Sequence, residues 1–309
     1  MAFPTQQEIS PGSISFGSIR EPHCALPLTA GEEGEVLKFL AVRPLHTVFL
    51  ASLIRDNGII SNLNRGSFYG CRNKDGELKG VALLGHATLI ETESAHCIKA
   101  FADLAKHRPP GHLIRGEQHK IESFWNYFTA GNQKPRLLCG ELLLQLKAPS
   151  LAAPIPGLRL ATDADLETVV NVNASLVCDE SGINPLLRDP QGFHERAARR
   201  IKKGRVWVWI ENQQLLYKTD IVADTPQTIY LEGVYVHPEH RKQGYGLRCI
   251  SQLAVALLDR TKAICLTVNE KAAGTQRFYK RAGYEFVSRY DSIYLDTKPS
   301  LQSRWPEER

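Results

Sequence analysis

The second half of the chain alternates between strand-like and helix-like patterns of apolar residues. Residues 206–211 and 215–223 are rich in β-branched and aromatic residues, and Asn212-Gln213 between them predicts the turn of a hairpin. Residues 229–236 and 263–268 are apolar runs of strand length. Between those two runs the pattern predicts an amphipathic helix, because apolar residues recur at helical spacing at Ile250, Leu253, Ala254, Leu257 and Leu258.

Further elements flank this series. Helices are predicted over 162–177 and 189–204, the first of them capped by Thr162 or Asp163. A short strand at 158–161 precedes them, and a helix at 272–283 and a last strand at 284–295 complete the half. The predicted order is strand, helix, helix, three strands, helix, strand, helix, strand.

The first half shows nearly the same order of patterns. Two helical stretches precede a strand at 67–73 and an apolar run at 78–91. A helix, a strand, a helix and a last strand follow, and the pair Phe124-Trp125 stands where Phe278-Tyr279 stands in the second half. We interpret the first half as a divergent copy of the second.

Residues 147–158 separate the halves, with three prolines among small residues, as in an extended linker. We therefore predict one domain over 1–150, with an extended segment at 1–28, and a second over 151–309.

Composition and charge exclude several classes of protein. Hydrophobic residues make up 43% and charged residues 23%, which is the balance of a globular protein, and no apolar run approaches the roughly 20 residues of a membrane helix. The start of the chain lacks the pattern of a signal peptide, so we expect a cytoplasmic protein. The net charge of +5 suits a small anionic ligand without requiring nucleic acid. Neither a zinc site nor a disulfide framework is indicated by the seven scattered cysteines, Cys24, Cys71, Cys97, Cys139, Cys178, Cys249 and Cys265.

The segment after the strand at 229–236 has the composition of an anion-binding loop. It runs through His237-Pro238 into a basic turn with two glycines one residue apart, Gly244 and Gly246. Glycines let main-chain N–H groups approach an anion closely, and the following helix adds the positive end of its dipole. The segment matches neither the Walker loop nor the dinucleotide fingerprint. The first half has only the residues ETES, 91–94, at the corresponding place.

This loop, together with FYKRAGYEF at 278–286, resembles the GNAT superfamily of acyl-CoA-dependent acyltransferases. The resemblance is carried most strongly by residues 229–286, and in the first half it extends to the element order alone. It implies an α+β fold of two tandem GNAT-like domains, each with a mixed, mostly antiparallel sheet flanked by helices. It also implies that acetyl-CoA, or another acyl-CoA, is a cosubstrate, and that no metal is needed.

The resemblance assigns cofactor-binding positions. The pantetheine amides of the coenzyme are expected along the strand before the loop, and the pyrophosphate in the loop itself. Ala272 departs from the asparagine common in the family, so a contact from Asn269 is an expectation that this departure weakens. The cofactor-binding residues implied are Val234, Tyr235, Val236, Arg241, Lys242, Gln243, Gly244, Tyr245, Gly246 and Asn269.

Two residues are implied as catalytic. Tyr279 stands where the family has its general acid, although an aromatic core residue would explain it too. Glu232 stands where several members carry a base, and its strand parity with Tyr230 and Val234 predicts an apolar environment that raises its pKa. Pairing of Glu232 with Lys218 or an arginine is the alternative. Gly233 predicts a strand bulge or a tolerated small residue.

Other charged residues have less specific interpretations. Lys218 and Asp220 are expected to line an acceptor groove or an exposed strand face. A solvated helix face is the main expectation for a basic cluster on and after the helix at 189–204, and recognition of a phosphate or an acidic substrate is the alternative. The cluster comprises Arg196, Arg199, Arg200, Lys202, Lys203 and Arg205.

The sequence thus predicts an N-acetyltransferase in which a primary amine attacks the thioester of acetyl-CoA. The acceptor is a small molecule or a protein amine, and no membrane or nucleic-acid partner is expected. A regulatory module that binds acyl-CoA without turnover is the alternative, and a nucleic-acid-binding protein is disfavoured because no recognition motif accompanies the charge.

Overall fold

A computed structural model describes residues 25–109, 111–130, 134–150 and 152–296. The first half contains four helices, α1 (Glu33–Leu40), α2 (Val48–Asn57), α3 (Ala95–Lys106) and α4 (Gln118–Thr129) within these ranges. Its strands are β1 (Ala25–Pro27), β2 (Gly66–Arg72), β3 (Leu78–Gly85), β4 (Ala87–Thr92), β5 (Leu113–Glu117) and β6 (Leu137–Leu146).

The second half has the predicted order, with one additional short helix. Its strands are β7 (Leu158–Leu160), β8 (Val206–Glu211), β9 (Gln214–Asp224), β10 (Ile229–Val236), β11 (Ile264–Asn269) and β12 (Glu285–Tyr294). Its helices are α5 (Leu166–Ser181), α6 (Pro185–Arg188), α7 (Pro190–Lys202), α8 (Tyr245–Leu258) and α9 (Ala273–Arg281).

Local sequence explains several element boundaries. Thr162 and Asp165 form a capping box ahead of α5. Asn212 and Gln213 both have positive φ, 48° and 64°, as a two-residue hairpin turn requires. The apolar run at 78–91 is two strands, not one, because the chain turns between β3 and β4 at Gly85-His86. The predicted extended segment at 1–28 lies outside the described residues except for 25–28, which include β1.

The twelve strands of the described ranges form one sheet, in the order β1-β2-β3-β4-β5-β12-β6-β11-β10-β9-β8-β7. Most neighbours are antiparallel, whereas β4 and β5 are parallel, as are β10 and β11. The predicted α+β architecture of two similar halves, each with a mainly antiparallel sheet and flanking helices, is confirmed.

The halves exchange their last strands. β6 of the first half lies between β11 and β12 of the second half, with Thr267 opposite Leu143 and Tyr290 opposite Glu141. β12 in turn pairs with β5 of the first half. A single continuous sheet results, so the central strands are shared between the halves.

The core lies between the sheet and its helices. The predicted stripe of α8 is confirmed, since Ile250, Leu253, Ala254 and Leu257 are buried against Ile264 and neighbouring strand residues. Each fully buried leucine of this kind contributes about 1.5–3 kcal/mol. Cys71, Cys97, Cys249 and Cys265 are buried, Cys139 and Cys178 are half-buried, and Cys24 lies outside the described residues. In the described segments, no helix has the length and apolar character to cross a lipid bilayer.

Candidate active site

A wedge-shaped gap opens between β10 and β11. The two strands pair only at Ile229–Ile264 and Tyr230–Cys265 within the described residues. Beyond these pairs β10 continues alongside β9 and β11 continues alongside β6. The edge of β10 that carries Val234, Tyr235 and Val236 therefore faces the gap, and its backbone groups there lack a β11 partner.

The predicted bulge at Gly233 is confirmed. The β9–β10 register shifts between Glu232 and Tyr235, and Gly233 has φ of 61°. A Cβ at Gly233 would lie 2.8 Å from Lys218 Nζ, and the same ammonium group donates to the Gly233 carbonyl at 3.1 Å. Glycine is therefore needed here for both its conformation and the close approach of the lysine.

A buried polar network of Lys218, Asp220, Arg200 and Asn173 lies next to the bulge. Lys218 Nζ lies 2.7 Å from Asp220, which also accepts from Arg200 at 2.7 Å and from Asn173 at 3.2 Å. Burial lowers the pKa of the Lys218 ammonium group. Both Lys218 and Asp220 are buried, so their expected position on a groove or an exposed face was wrong.

The basic cluster on and after α7 is only partly a solvated face. Arg200 reaches the buried Asp220, Arg196 pairs with Asp189 at 2.9 Å, and Arg205 pairs with Asp56 of the first half. These arginines make specific ion pairs, two of them within the second half and one between the halves.

The glycine loop is open to solvent. Lys242 and Gly244 have φ of 62° and 85°, and residues 241–244 are exposed. Arg241 Nε donates to the Val236 carbonyl at 3.0 Å, which holds the loop against the end of β10.

Several consecutive amides in this loop point to no protein acceptor. Within the described part of the chain, neither a carbonyl nor a side chain accepts from the N–H groups of residues 242–247. They lie at the start of the 14-residue helix α8, where the helix dipole is positive. The residues present therefore suit the diphosphate of an acyl-CoA.

Gly246 and Tyr245, at the start of α8, are packed against other parts of the protein. A Cβ at Gly246 would meet Val236 Cγ2 at 3.0 Å and Phe278 at 3.3 Å, so this glycine lets α8 pack closely on β10 and α9. The Tyr245 ring lies 5.1 Å from that of Trp209. A cofactor contact from either residue would thus come from its backbone.

Asn269 and Ala272 are on the opposite side of the gap. Asn269 ends β11, and its Oδ1 accepts from the Lys271 N–H at 2.8 Å. Ala272 occupies the N-cap of α9 without a side-chain hydrogen bond. The Asn269 oxygen is therefore engaged in the local turn, which leaves its amide nitrogen as the group able to contact a ligand.

Tyr279 lies on α9 and packs in the same core cluster as Leu231 of β10 and Leu266 of β11. Its side chain is 6% exposed and its ring contacts those of Phe278 and Tyr284 at 4.9 and 5.3 Å. Burial raises the pKa of the phenol well above its usual value. No described residue makes a hydrogen bond with its hydroxyl group. A neutral phenol with a free hydroxyl is suited to donate a proton.

Glu232 does not have the apolar environment that strand parity predicted. Its side chain is 49% exposed and its carboxylate lies 3.7 Å from Arg115 Nη1. The bulge at Gly233 breaks the alternation, so Val234 packs in the same cluster as Leu231 and not with Tyr230. The alternative of an arginine partner is the arrangement observed.

Arg115 links the two halves at the base of the gap, and sequence reasoning missed it. It belongs to β5, yet its Nη2 donates to the Tyr230 hydroxyl at 2.7 Å and also contacts Thr267. Its guanidinium group lies 3.3 Å from Glu141 of β6. No local signal marks this residue, because its neighbours come from the exchanged strands.

Glu180, at the end of α5, was also missed. The residue as a whole is exposed, but burial of its carboxylate and the nearby Glu232 and Glu141 raise its pKa. The Tyr294 hydroxyl donates to it at 3.2 Å. Glu180, Glu232 and Glu141 thus place three carboxylates close together around Arg115.

The corresponding wedge of the first half is filled by ionic side chains. Glu117 lies 2.7 Å from Arg43 and 2.8 Å from Lys120, and Glu91 lies 3.0 Å from Arg43. Exposed Glu93 stands where the second half has its glycine loop, and Lys120 reaches it at 2.8 Å. Carboxylates at this position disfavour a diphosphate.

Comparison with known proteins agrees with this geometry. Residues 202–286 match the family model of the acetyltransferase (GNAT) domain. No curated protein is similar enough in sequence to be matched with the chain.

Solved structures extend the likeness over most of the chain. A Drosophila protein has a TM-score of 0.64 at 12% identity, covering 89% of this chain and 99% of its own. A GCN5-related N-acetyltransferase from Sphaerobacter thermophilus has a TM-score of 0.57 at 13% identity, covering 87% and 94%. A tandem GNAT protein from the clavulanic acid biosynthesis pathway has a TM-score of 0.54 at 12% identity, covering 89% and 99%. At these identities the likeness concerns the fold. Residues 202–286 therefore form a GNAT-type acetyltransferase domain by sequence, and the chain as described has the fold of tandem GNAT proteins.

Proposed function

We propose that the second half transfers an acetyl group from acetyl-CoA to a primary amine by direct attack. The observation that carries this proposal is the gap between β10 and β11, which opens beside a loop of unpartnered amides at the start of α8. The GNAT domain match over residues 202–286 implies acyl transfer from acetyl-CoA, and the gap is where we expect that substrate to bind.

The coenzyme would lie along the free edge of β10. Its diphosphate would be held by the loop from Arg241 through Lys242, Gln243 and Gly244 to the amides of Tyr245 and Gly246. Its pantetheine amides would pair with the backbone of Val234, Tyr235 and Val236, and Asn269 would contact it from β11. Arg241 and Lys242 add positive charge, which strengthens hydrogen bonds to phosphate oxygens.

In the reaction the amine nitrogen attacks the thioester carbonyl and the carbon–sulfur bond breaks. Tyr279 would donate its phenolic proton to the departing thiolate. An acceptor bound as an ammonium group would first lose one proton to Glu232, directly or through water, and the neutral amine would then attack. The second N–H proton would leave the nitrogen for solvent as the amide forms, and Tyr279 would recover its proton from solvent. The half-exposed position of Glu232 suits such a water-mediated transfer.

We further propose that the acceptor binds as a cation. Glu180 and Glu232 lie on the acceptor side of the gap, and an ammonium group would relieve the repulsion between these carboxylates and Glu141. Arg115 compensates part of this negative charge through its ion pairs with Glu141 and Glu232. Small polyamines and peptide amines with neighbouring positive charge are therefore the acceptors to test first.

The test is a panel of amines with acetyl-CoA, scored for thiol release and for the acetylated product by mass spectrometry. We expect cationic amines to be acetylated and anionic amines to be poor substrates. Binding of acetyl-CoA by calorimetry without turnover on any amine would instead favour the module that binds acyl-CoA without catalysis. Absence of acetyl-CoA binding would contradict both functions.

A further inference from the structure

A cavity distinct from the gap between β10 and β11 lies mainly in the first half. It is at the ends of β4 and β5 that are farthest from the filled wedge. Its volume is about 400 Å³. His86 immediately precedes β4 and His112 immediately precedes β5, whereas Glu91 and Glu117 of the wedge lie near the other ends of these strands. The cavity is thus separate from the acyl-CoA gap and from its counterpart in the first half.

One side of this cavity is cationic. Arg108 and Arg188 line it beside His86 and His112. The rings of the two histidines are stacked at 5.3 Å, and Arg188 Nη1 lies 3.3 Å from His112 Nδ1. The Arg108 guanidinium carbon lies 4.6 Å from the centre of the Tyr69 ring, and within the described residues its side-chain N–H groups make no hydrogen bond.

More positive charge lies close behind this wall. Burial and the positive charge of Arg65 lower the pKa of His86 to about 3, so its imidazole is neutral at physiological pH. Burial and Arg196 lower the pKa of Arg65 to about 10. Asp189, the carboxylate near Arg65, is already paired with Arg196 at 2.9 Å. Arg65, Arg196 and Arg188 each contribute to the lowered pKa of His86, so the electrostatic potential at this wall is positive.

The opposite side of the cavity is apolar. Phe124 and Phe128 of α4 contribute stacked rings at 5.8 Å, and the buried residues Leu84, Ile114 and Leu295 complete the wall. A concave site with an apolar wall and a few converging polar groups is the usual form of a small-ligand site.

We propose that this cavity is a binding site for a small anion with an apolar body, in which a carboxylate or phosphate group meets the arginines and the body packs on the phenylalanines. Arg108 would donate to the anionic group, and the neutral His86 and His112 rings can each donate one N–H. The apolar body would displace water from Phe124 and Phe128. Such a ligand would bridge the halves, because Arg188 comes from the second half.

The experiment titrates the full chain with phenyl phosphate and, separately, with benzoate. Ring signals of the histidines are followed by NMR and assigned with the variants His86→Gln and His112→Gln. We expect saturable shifts of the His86 and His112 signals with at least one probe, and the probe that binds more tightly identifies the anionic group. Neutral benzamide has the same apolar body and should cause no comparable shift.

Variants test the role of charge. Arg108→Gln should weaken binding by about tenfold or more, since one charge-assisted hydrogen bond is lost. Arg108→Lys, which keeps the charge, should retain most of the affinity, and Arg55→Gln on the surface of α2 is the matched control. Melting temperatures verify that each variant is folded.

Other results would overturn the proposal. His237 and His240 lie beside the glycine loop, so shifts confined to their signals would place both probes at the acyl-CoA site. Shifts of His86 and His112 that sodium chloride reproduces, or that Arg108→Gln leaves unchanged, would show a non-specific ionic effect.

Discussion

Tyr279 combines a buried ring with a hydroxyl group that no described residue engages, and burial raises its pKa. The phenol is therefore protonated at any physiological pH. A group in this state can supply a proton to a thiolate and recover it from solvent after product release.

We expect Tyr279→Phe to reduce turnover by about 10²- to 10⁴-fold, the usual contribution of a positioned acid. Affinity for acetyl-CoA should barely change, because the ring and its packing remain. Both kcat and kcat/KM should fall in a steady-state assay of thiol release. The control is Tyr284→Phe, which removes a neighbouring buried hydroxyl group that has no hydrogen-bond partner among the residues described. Equal activity of the two variants would contradict the acid role of Tyr279.

Glu180→Gln should raise the KM for a cationic amine by about tenfold, because one charge-assisted contact is lost. The KM for acetyl-CoA should be unchanged. The matched control is Glu285→Gln, an exposed glutamate at the start of β12. If Glu180→Gln left the amine KM at the wild-type value, the acceptor would not bind at this carboxylate.

Some site residues could be predicted from the sequence and others could not. The residues of the loop and Tyr279 are contiguous with a motif, so local sequence places them. Arg115 could not be predicted, because its partners Tyr230 and Thr267 come from strands far away in the chain. The environment of Glu232 was mispredicted because the bulge at Gly233 interrupts the alternation on which the prediction depended.

At the level of elements, the glycine loop and α8 form a unit that can be tested on its own. Gly244→Glu should abolish acetyl-CoA binding, since a carboxylate beside the amides repels the diphosphate. The φ of 85° at this position also strains any residue other than glycine. Gly76→Glu is the matched control, because Gly76 has φ of 81° and equally open surroundings in the β2–β3 turn. Calorimetry should show loss of affinity in the first variant and wild-type affinity in the second. Loss in both, or in neither, would contradict a coenzyme site at this loop.

The filled wedge between β4 and β5 predicts a pH-dependent contribution to stability. Burial opposes ionisation of Glu117, but the hydrogen bond from Arg43 and the Lys120 ammonium group 2.8 Å away lower its pKa from 4.5 to about 2. Because the pKa of Glu117 is lower in the folded state than in the unfolded state, its ionised form stabilises the fold at pH values above the unfolded-state pKa. This stabilisation is lost as the pH falls through the folded-state pKa. Glu117→Gln should therefore cost about 3 kcal/mol at pH 7. The difference from wild type should shrink as the pH falls from about 4.5 towards about 2.

Urea unfolding at several pH values measures this effect. Glu122→Gln on the exposed face of α4 is the control and should change stability little at any pH. A cost for Glu117→Gln that did not depend on pH would show that its packing, and not its charge, matters.

Most elements were predictable because their signals are local. The stripe of α8 and the Asn212-Gln213 turn each lie within a short window of sequence. The neighbours of β6 and β12 were not predictable, because period-two alternation marks a strand without indicating which strands lie beside it. The exchange of these two strands is therefore a property that only the structure reveals.

For the whole molecule, we propose that residues 1–150 and 151–309 are the two duplicated units. We further propose that neither unit forms a complete sheet without the last strand of the other. A fragment of residues 154–309 lacks β6, which separates β11 from β12. We expect this fragment to fold poorly and to lose acetyl-CoA binding. A fragment of residues 134–309 keeps β6 and should fold better and bind acetyl-CoA. Circular dichroism and calorimetry compare the two.

The comparison of the two fragments tests whether the second half folds and binds acetyl-CoA without β6. Stable folding of residues 154–309 with full acetyl-CoA affinity would show that the exchanged strand is dispensable. A fragment of residues 1–150 should bind no acetyl-CoA, because its wedge is filled with ion pairs and lacks the glycine loop.

The exchange of last strands also has a consequence during synthesis on the ribosome. β6 emerges long before β11 and β12, the strands that it pairs with in the finished protein. At about 5–20 residues per second, the nascent chain carries β6 and the edge of β5 unpaired for on the order of ten seconds. Unpaired strand edges invite pairing with other chains, and neighbouring nascent copies on one polysome carry the same edges. The first half thus finishes its folding only when the last strand has left the exit tunnel, and until then its open edges are a place where chaperones can bind.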